Sequence, residues 1–287
     1  MNNVKIGNDK LRAGSLDAKL LRVAASSYLN TAPLIWSFIQ GERRNEVELI
    51  TDTAPARCAD MLARGEVNAA LVPVIEYQRI PDLKIVPGVC VGARSLVRSV
   101  VLVTRDSMEL KDARSVALDV SSRTSATLVR IIFREFLGFE PEWITHAPDL
   151  NRMLAESDAA LLIGDPAMTF SRAGLTVHDM AGLWREYTGT GFVFAMWMAR
   201  EEDEGKTSRI DFAAARDEGL EHLVEIAAEY HRTIGLSLDE IRSYLRENIS
   251  FTLDEEMRAG LELYYKLAYR HGIIPNVQPL RTIETKA

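Results

Sequence analysis

Short apolar runs alternate with helical patterns along the first two thirds of the chain, and this alternation constrains the fold more than any other feature. Apolar runs typical of strands occupy residues 21–25, 47–51, 69–72, 115–119 and 159–163, and helical patterns lie between most of them. Strands that alternate with helices pair in parallel, with the helices as crossovers on the faces of the sheet. The sequence therefore predicts an α/β fold.

The strands form two groups along the chain, and a helical C-terminal tail follows them. After residue 208 the pattern is helical almost throughout, with its longest predicted helix at 210–233. Because the tail has no strands of its own, it must pack on the lobes before it. We expect one lobe formed by 21–104 plus 196–287 and a second formed by 105–195, with a ligand cleft between them.

The net negative charge argues against nucleic acids and acidic membranes as partners. The 287 residues include 34 lysines and arginines and 41 aspartates and glutamates, a formal net charge of −7. Nucleic acids and acidic membrane surfaces are bound by basic surfaces, so neither is an expected partner. A small anionic substrate stays compatible with this charge, because a local site can be positive on an acidic protein. The oligomeric state is left open.

The first residues carry no signal for export. Residues 1–20 are polar with mixed charge, and we expect them to be disordered. They lack the apolar core and the small-residue cleavage site of a secretory leader. No stretch of the sequence approaches the ~20 apolar residues of a membrane helix. We therefore expect a cytoplasmic protein.

Residues that bind metals or form disulfides are sparse. Cys58 and Cys90 make no C-x-x-C pair, and the five histidines show no metal-binding spacing. No dinucleotide fingerprint follows the first strand, and there is no phosphate loop. We expect two buried, reduced thiols, no metal and no cofactor.

The segment SSYLNTAP, residues 26–33, places polar side chains where the first strand gives way to a helix. Ser27, Tyr28 and Asn30 offer a hydroxyl, a phenol and a carboxamide, which can hydrogen-bond a ligand. Ligand sites of α/β proteins lie at the carboxyl ends of strands. The alternative is that Ser27 or Asn30 caps the following helix.

A second segment, SSRTSATLVRIIF at residues 121–133, has the same placement between a strand and a helix. The hydroxyls of Ser122, Thr124 and Ser125 can donate to an anion, and Arg123 can form a bidentate pair with a carboxylate. The unpaired N–H groups and the dipole of a helix start favour an anion as well. The alternative is a capped helix start with a solvated arginine.

Two further segments offer candidate contacts. VRSVVLV places Arg98 and Ser99 at the start of a strand, and LLIGDPAM ends a buried strand in Gly164 and Asp165. Glycine permits the close approach of a ligand or backbone, and the aspartate can bind a substrate hydroxyl. The alternatives are a surface arginine, an ordinary strand serine and a helix-capping aspartate.

Five segments in order carry a resemblance to a known family: SYLNTAPL, VRSVVLVTR, ALDVSSRTSATLVRIIF, ALLIGDPAM and TGTGFVFAMW. Together they resemble the chorismate dehydratases of the futalosine route to menaquinone, over about residues 22–198. The resemblance implies a two-lobed fold like that of type II periplasmic binding proteins. It also implies a lyase that removes water from chorismate, giving 3-[(1-carboxyvinyl)oxy]benzoate, with no metal or nucleotide.

The resemblance also assigns roles to residues of the five segments. Asn30 and Ser99 are the expected catalytic residues, and the stretch 122–125 is the expected carboxylate-binding site. The full set of expected substrate contacts is Ser27, Tyr28, Arg98, Ser122, Arg123, Thr124, Ser125, Gly164 and Asp165. The chain departs from the family at Thr190-Gly191, where the family usually has Leu-Pro, and we expect a looser loop over the cleft.

Two rival functions fit parts of the pattern. One is a cytosolic two-lobed protein that binds a small carboxylate without turnover. The other is the sister enzyme of the same pathway, which acts on a dehypoxanthine futalosine intermediate and resembles this chain in fold. The first motif of that enzyme is rich in aspartate, whereas this chain reads SYLN. A transcription regulator is disfavoured, because no helix-turn-helix pattern precedes the first strand.

Overall fold

The computed structural model describes residues 20–284. The segment 1–20, predicted to be disordered, lies outside the described residues except for Leu20. No helix within the described range combines the length and the apolar character needed to cross a bilayer.

The first part of the chain alternates strands and helices as predicted. Its elements are β1 (Leu21–Ser26), α1 (Ala32–Ile39), β2 (Val47–Asp52), α2 (Pro55–Ala63), β3 (Ala69–Pro73) and β4 (Leu83–Ala93). A 3₁₀ turn at Leu29–Thr31 leads into α1, which carries Pro33 in its first turn. Proline is favoured at this position because the first helical N–H groups have no partner inside the helix.

The middle of the chain repeats this alternation. Its elements are β5 (Val100–Arg105), β6 (Ser115–Asp119), α3 (Arg123–Ile131), β7 (Glu142–His146), α4 (Leu150–Glu156), β8 (Ala159–Ile163), α5 (Pro166–Thr169), β9 (Leu175–Asp179) and α6 (Met180–Thr188). The sequence did not predict β9 or α6. The sequence of β9, LTVHD, lacks the continuous apolar run that marks β6 and β8. Every residue of β9 is only half-buried, which accounts for its polar positions.

One long strand and a helical tail complete the fold. They comprise β10 (Phe192–Arg200), α7 (Glu204–Thr207), α8 (Phe212–Glu221), α9 (Leu223–Ile234), α10 (Leu238–Ser243) and α11 (Glu255–Arg270). The prediction of a single helix at 210–233 is wrong, because a turn at His222 separates α8 from α9. The tail packs on the first part of the chain: a side chain on Gly219 of α8 would overlap the carbonyl of Pro33 in α1.

Two five-stranded sheets organise these elements. The first has the order β2-β1-β3-β10-β4, and the second has the order β7-β6-β8-β5-β9. In the first sheet β1 is parallel to β2 and β3, and in the second β6 is parallel to β7 and β8. The antiparallel members are β10 and β5. We call the part built on the first sheet lobe I and the part built on the second sheet lobe II.

The pairing of β5 and β10 moves both predicted lobe boundaries. The prediction placed Val100–Arg105 in the first lobe, but this strand pairs with β8 and β9 in the second sheet. It placed the start of Phe192–Arg200 in the second lobe, but Phe192 pairs with Ala93 in the first sheet. Lobe I therefore covers 20–93 and 192–284, lobe II covers 100–188, and the chain crosses between them at 94–99 and 189–191.

Candidate active site

A cavity lies between the two lobes, at the carboxyl ends of the parallel strands β1, β3, β6 and β8. Its empty volume is about 520 Å³, counting the part open to solvent. The side chains around it belong to both lobes: Ser26, Tyr28, Asn30, Thr31, Pro55, Leu71, Pro73, Val91, Val100, Ser121, Ser122, Arg123, Thr124, Ser125, Ile163, Gly164, Phe194 and Ala195. This is where ligands bind in open α/β folds.

Lobe I contributes a polar wall built from the turn after β1. The hydroxyl of Thr31 lies 2.6 Å from the carbonyl oxygen of Ser26 and 2.8 Å from that of Tyr28, which holds the turn closed on the end of the strand. Asn30 projects from this turn into the cavity wall. Its Oδ1 is buried and has no hydrogen-bond partner among the described residues. Such an atom is ready to accept a hydrogen bond from a ligand.

Lobe II contributes the start of α3. Ser122 is the N-cap residue, with extended backbone, and its side chain makes no capping bond. The first N–H groups of α3 therefore lack a partner inside the helix, and the helix dipole makes them attractive to an anion. Ser122, Thr124 and Ser125 all line the cavity. The structure thus brings together the three hydroxyls predicted to bind a carboxylate.

Arg123 also lines the cavity, but its guanidinium binds carboxylates of the protein. It lies 2.7 Å from Asp60 and 3.0 Å from Glu76, both in lobe I. Burial lowers the pKa of Arg123, but the hydrogen bonds and charges of Asp60 and Glu76 outweigh this effect and raise it. The predicted fork onto a substrate carboxylate is therefore not available in this conformation, and Arg123 instead ties α3 to lobe I.

Sequence reasoning missed Ser121 and Asp119, which lie next to the predicted site. Ser121 donates its backbone N–H and its hydroxyl to Oδ1 of Asp119, at 2.8 and 2.6 Å. The other carboxylate oxygen of Asp119 is buried without a partner among the described residues. Burial raises the pKa of Asp119 in spite of these bonds. The signal for Ser121 was its place as the first hydroxyl of the 121–133 segment.

Tyr28 lines the cavity together with Ser121. Burial raises the pKa of Tyr28 above its ordinary value of 10, and a hydrogen bond with Ser121 opposes this rise. The phenol is therefore protonated at neutral pH and can donate to a ligand.

Gly164 and Asp165 approach Tyr28 and Leu29 from lobe II. Gly164 has a φ of +66°, and a Cβ atom placed on it would lie 2.7 Å from the ring of Tyr28, so only glycine fits there. Asp165 does not line the cavity. Its Oδ1 accepts a hydrogen bond of 3.0 Å from the backbone N–H of Leu29.

Besides Asp165, three more of the predicted residues lie away from the cavity lining. Ser99 is fully buried, and its Oγ accepts a hydrogen bond of 2.7 Å from the hydroxyl of Tyr244. Arg98 lines a separate groove. Ser27 is also absent from the lining, and its carbonyl accepts from Tyr230. A position next to a strand end does not fix the direction of the side chain, so neighbouring residues such as Ser99 and Val100 face different surroundings.

Thr190-Gly191, predicted to form a looser loop, packs against the helical tail. The hydroxyl of Thr190 accepts a hydrogen bond of 3.0 Å from the indole of Trp184. A Cβ on Gly191 would lie 2.7 Å from the side chain of Met257. Neither loop residue lines the cavity. The replacement of Leu-Pro therefore falls in a packed connection between the lobes rather than over the cavity.

Apart from Ser26, the remaining side chains of the cavity are apolar. They come mainly from β3, β4 and β10, whose contribution the sequence did not indicate, and they include Leu71, Val91 and Phe194. Cys58 and Cys90 are free and buried, as predicted. Within residues 20–284 no three His, Cys, Asp or Glu side chains are grouped so that they could hold a metal ion. The site thus combines an apolar wall, which suits a ring, with hydroxyl, phenol and amide groups.

Comparison with known proteins agrees with this architecture. The profile of a family described as menaquinone biosynthesis matches residues 21–270. A chorismate dehydratase of Thermus thermophilus is 30% identical over 256 residues, which cover 83% of this chain and 91% of that protein.

Solved structures share the two-lobed arrangement. A structural-genomics target from Archaeoglobus fulgidus superposes with a TM-score of 0.73 at 18% identity, covering 90% of this chain and 100% of that one. The periplasmic aliphatic sulphonate binding protein of Escherichia coli superposes with a TM-score of 0.61 at 19% identity, covering 94% of this chain and 96% of that one. The α/β two-lobed prediction is confirmed, and the chain belongs to the menaquinone biosynthesis family, on a periplasmic-binding-protein fold.

Proposed function

We propose that this protein is a chorismate dehydratase that works in the cytoplasm, in the futalosine route to menaquinone. The family and the Thermus thermophilus relative support this activity. The observation that carries the proposal is the interlobe cavity, which is lined by the start of α3, by Asn30 and by apolar side chains. An anionic ring with one hydroxyl matches these surfaces in charge and polarity.

The reaction is a balanced elimination. The C3–H and C4–O bonds of chorismate break, a double bond forms between C3 and C4, and the proton and the hydroxide leave as water. The ring becomes aromatic, so the driving force lies in the substrate. The protein has to bind two carboxylates, orient the ring and stabilise the departing oxygen, and fixed hydrogen bonds can supply these effects.

The start of α3 is the proposed site for one substrate carboxylate. The N–H groups at residues 123–125 have no side-chain cap, and the hydroxyls of Ser122, Thr124 and Ser125 lie beside them. Together they supply donors and a positive helix end without a free cation. Tyr28 lines the same cavity as a protonated phenol and is a further donor.

Asn30 is the proposed contact to the leaving group. A carboxamide has one acceptor oxygen and two donor hydrogens, and Oδ1 of Asn30 is unpartnered within the described structure. The oxygen can orient the C4 hydroxyl, and the NH₂ group can donate to its oxygen as negative charge develops. One such donor typically contributes 10²–10³ in turnover.

A carboxylate of the substrate is the proposed acceptor of the C3 proton. The described lining includes no aspartate, glutamate, histidine or lysine. Arg123 is held in ion pairs, and Tyr28 is protonated. Asp119 lies behind Ser121 and receives two hydrogen bonds from it. The substrate therefore brings the base with it, and the cavity fixes the geometry of the transfer.

The proposal is tested by incubating the purified protein with chorismate and following 3-[(1-carboxyvinyl)oxy]benzoate by liquid chromatography and mass spectrometry. Product that forms in proportion to protein concentration, and is absent with heat-denatured protein, is the expected result. Saturable binding of chorismate by calorimetry with no product would instead identify a binding protein. Turnover of a dehypoxanthine futalosine intermediate with none of chorismate would identify the sister enzyme.

A further inference from the structure

The two lobes touch beside the cavity through a pair of short segments. The segment Tyr28–Asn30 belongs to lobe I, and Gly164 and Asp165 belong to lobe II. The ring of Tyr28 packs on Gly164, and the backbone N–H of Leu29 donates to Oδ1 of Asp165 at 3.0 Å. Leu29 lies between two residues that line the cavity, so this single hydrogen bond anchors the backbone that carries them.

The side chain of Asp165 is directed away from the helix that it begins. Asp165 occupies the N-cap position of α5, where an aspartate ordinarily accepts from the N–H groups of its own helix. It makes no such bond. Asp149, at the equivalent position of α4, does accept from the N–H of Arg152. The carboxylate of Asp165 thus serves lobe I rather than its own helix.

Asp165 is half-buried and lies close to three tyrosines. Burial raises the pKa of Tyr28, Tyr230 and Tyr244, and the negative charge of Asp165 raises it further. These tyrosines lie on the turn after β1, on α9 and at the end of α10. No cationic group of the described chain offsets the burial of Asp165, which raises its pKa to about 6 despite the bond from Leu29. A folded-state pKa above the ordinary value means that ionisation at neutral pH costs stability.

We infer that Asp165 is a positioning residue, whose carboxylate fixes the Tyr28–Asn30 turn of lobe I when the lobes are closed. A substrate enters and leaves when the lobes separate, and this separation breaks the Asp165–Leu29 bond. Closure restores it and sets the carboxamide of Asn30 against the start of α3. The inference rests on the proposed function, because it assigns Asp165 a part in that reaction without contact to the substrate.

The test compares Asp165→Ala and Asp165→Asn with the wild-type protein and with Asp149→Ala, which removes a cap of lobe II far from Leu29. Asp165→Ala is expected to lower kcat for chorismate by about 10- to 100-fold with a smaller change in KM, since a misplacement of about 1 Å can cost 10²-fold. Asp165→Asn retains a neutral, weaker acceptor oxygen, so its kcat is expected to lie between those of the wild type and Asp165→Ala and to match that of the wild type well below pH 6. Asp149→Ala is expected to lower the free energy of unfolding and to leave kcat unchanged.

A pH profile separates positioning from a merely structural role. Since Asp165 is ionised only above pH about 6, and the ionised carboxylate is the stronger acceptor, wild-type kcat is expected to fall as pH drops through 6. In Asp165→Asn this acid limb is expected to disappear. Persistence of the limb in Asp165→Asn would overturn the inference, as would equal losses of turnover in Asp165→Ala and Asp149→Ala.

Amide hydrogen exchange of Leu29 tests the contact without any substrate. Exchange measured by NMR on the ligand-free protein at neutral pH is expected to be fastest in Asp165→Ala, intermediate in Asp165→Asn and slowest in the wild type. Unchanged protection of Leu29 in Asp165→Ala would overturn the inference even if turnover fell. If the wild-type protein made no product from chorismate, the proposed function would fail, and the exchange rates would still decide whether Asp165 fixes the turn.

Discussion

The hydroxyl of Tyr244 donates to Oγ of Ser99 across 2.7 Å, and neither side chain is reached by solvent. Tyr244 follows α10 in the helical tail, whereas Ser99 lies in the segment that crosses from lobe I to lobe II. The carbonyl of Ser99 also accepts from the N–H of Gly164 at 2.8 Å. The tail, the crossover and the Gly164–Asp165 segment are therefore joined by consecutive hydrogen bonds.

Replacing Tyr244 by phenylalanine should lower the free energy of unfolding by about 1–2 kcal/mol, because the buried Ser99 hydroxyl loses its partner. Urea unfolding followed by circular dichroism measures the change. Tyr269→Phe is the control, because Tyr269 is 54% exposed and its substitution should change stability by less than ~0.5 kcal/mol. Equal stabilities of the two variants would contradict the role given to the Tyr244–Ser99 bond.

Replacing Gly164 by alanine should destabilise the protein more than replacing Gly174 by alanine. Both glycines have a positive φ, of +66° and +72°, but a Cβ atom meets the ring of Tyr28 at Gly164 and nothing within 4 Å at Gly174. Gly174→Ala should cost about 1–2 kcal/mol from backbone strain alone, and Gly164→Ala about 1–3 kcal/mol more from the overlap. Identical unfolding midpoints would show that Tyr28 does not pack on Gly164 in solution.

The pair between Arg123 and Glu76 should couple the lobes measurably. Glu76 is nearly buried and keeps a second partner in Arg79 at 3.0 Å, while the Arg123 side chain is 30% exposed. We expect a coupling free energy of about 1 kcal/mol from a double-mutant cycle of Arg123→Gln and Glu76→Gln.

The exposed pair Arg258–Glu262 of α11 is the matched control for this cycle. Its coupling should be below ~0.5 kcal/mol, as is usual for solvated helix pairs. A coupling for Arg123 and Glu76 no larger than this would remove Arg123 as a tie between the lobes.

The two thiols should be inert in the folded protein. Burial raises the pKa of Cys58 to about 12 and that of Cys90 to about 12, and the thiolate is the reactive form. At pH 8 an aromatic disulfide reagent should release no chromophore from the native protein and two equivalents after unfolding in guanidinium. Rapid release from the native protein would show that one thiol is accessible.

The parallel core of each sheet and the polar start of α3 follow from local sequence. Apolar runs such as 159–163 bury completely in strands, and a strand that ends in hydroxyls before a helix can be recognised without a structure. Ser122, Thr124 and Ser125, predicted in this way, line the cavity. Asn30 was found by the same argument at the end of β1.

Long-range pairing accounts for what the sequence did not reveal. The antiparallel partners of β5 and β10 decide which lobe each strand joins, and nothing within either strand specifies them. Arg123 forms ion pairs with Glu76 and Asp60, which are separated from it by 47 and 63 positions in the sequence. Ser99 is buried against Tyr244, whereas its neighbour Val100 lines the cavity, and the direction of these side chains depends on long-range packing.

The turnover of Asn30→Ala with chorismate tests most directly the claim that the interlobe cavity is the site of dehydration. Asn151→Ala, on the exposed face of α4, is the matched control. We expect Asn30→Ala to keep the wild-type unfolding midpoint and to lose about 10²–10³-fold in kcat, while Asn151→Ala matches the wild type in both. Wild-type turnover in a folded Asn30→Ala protein would contradict that claim.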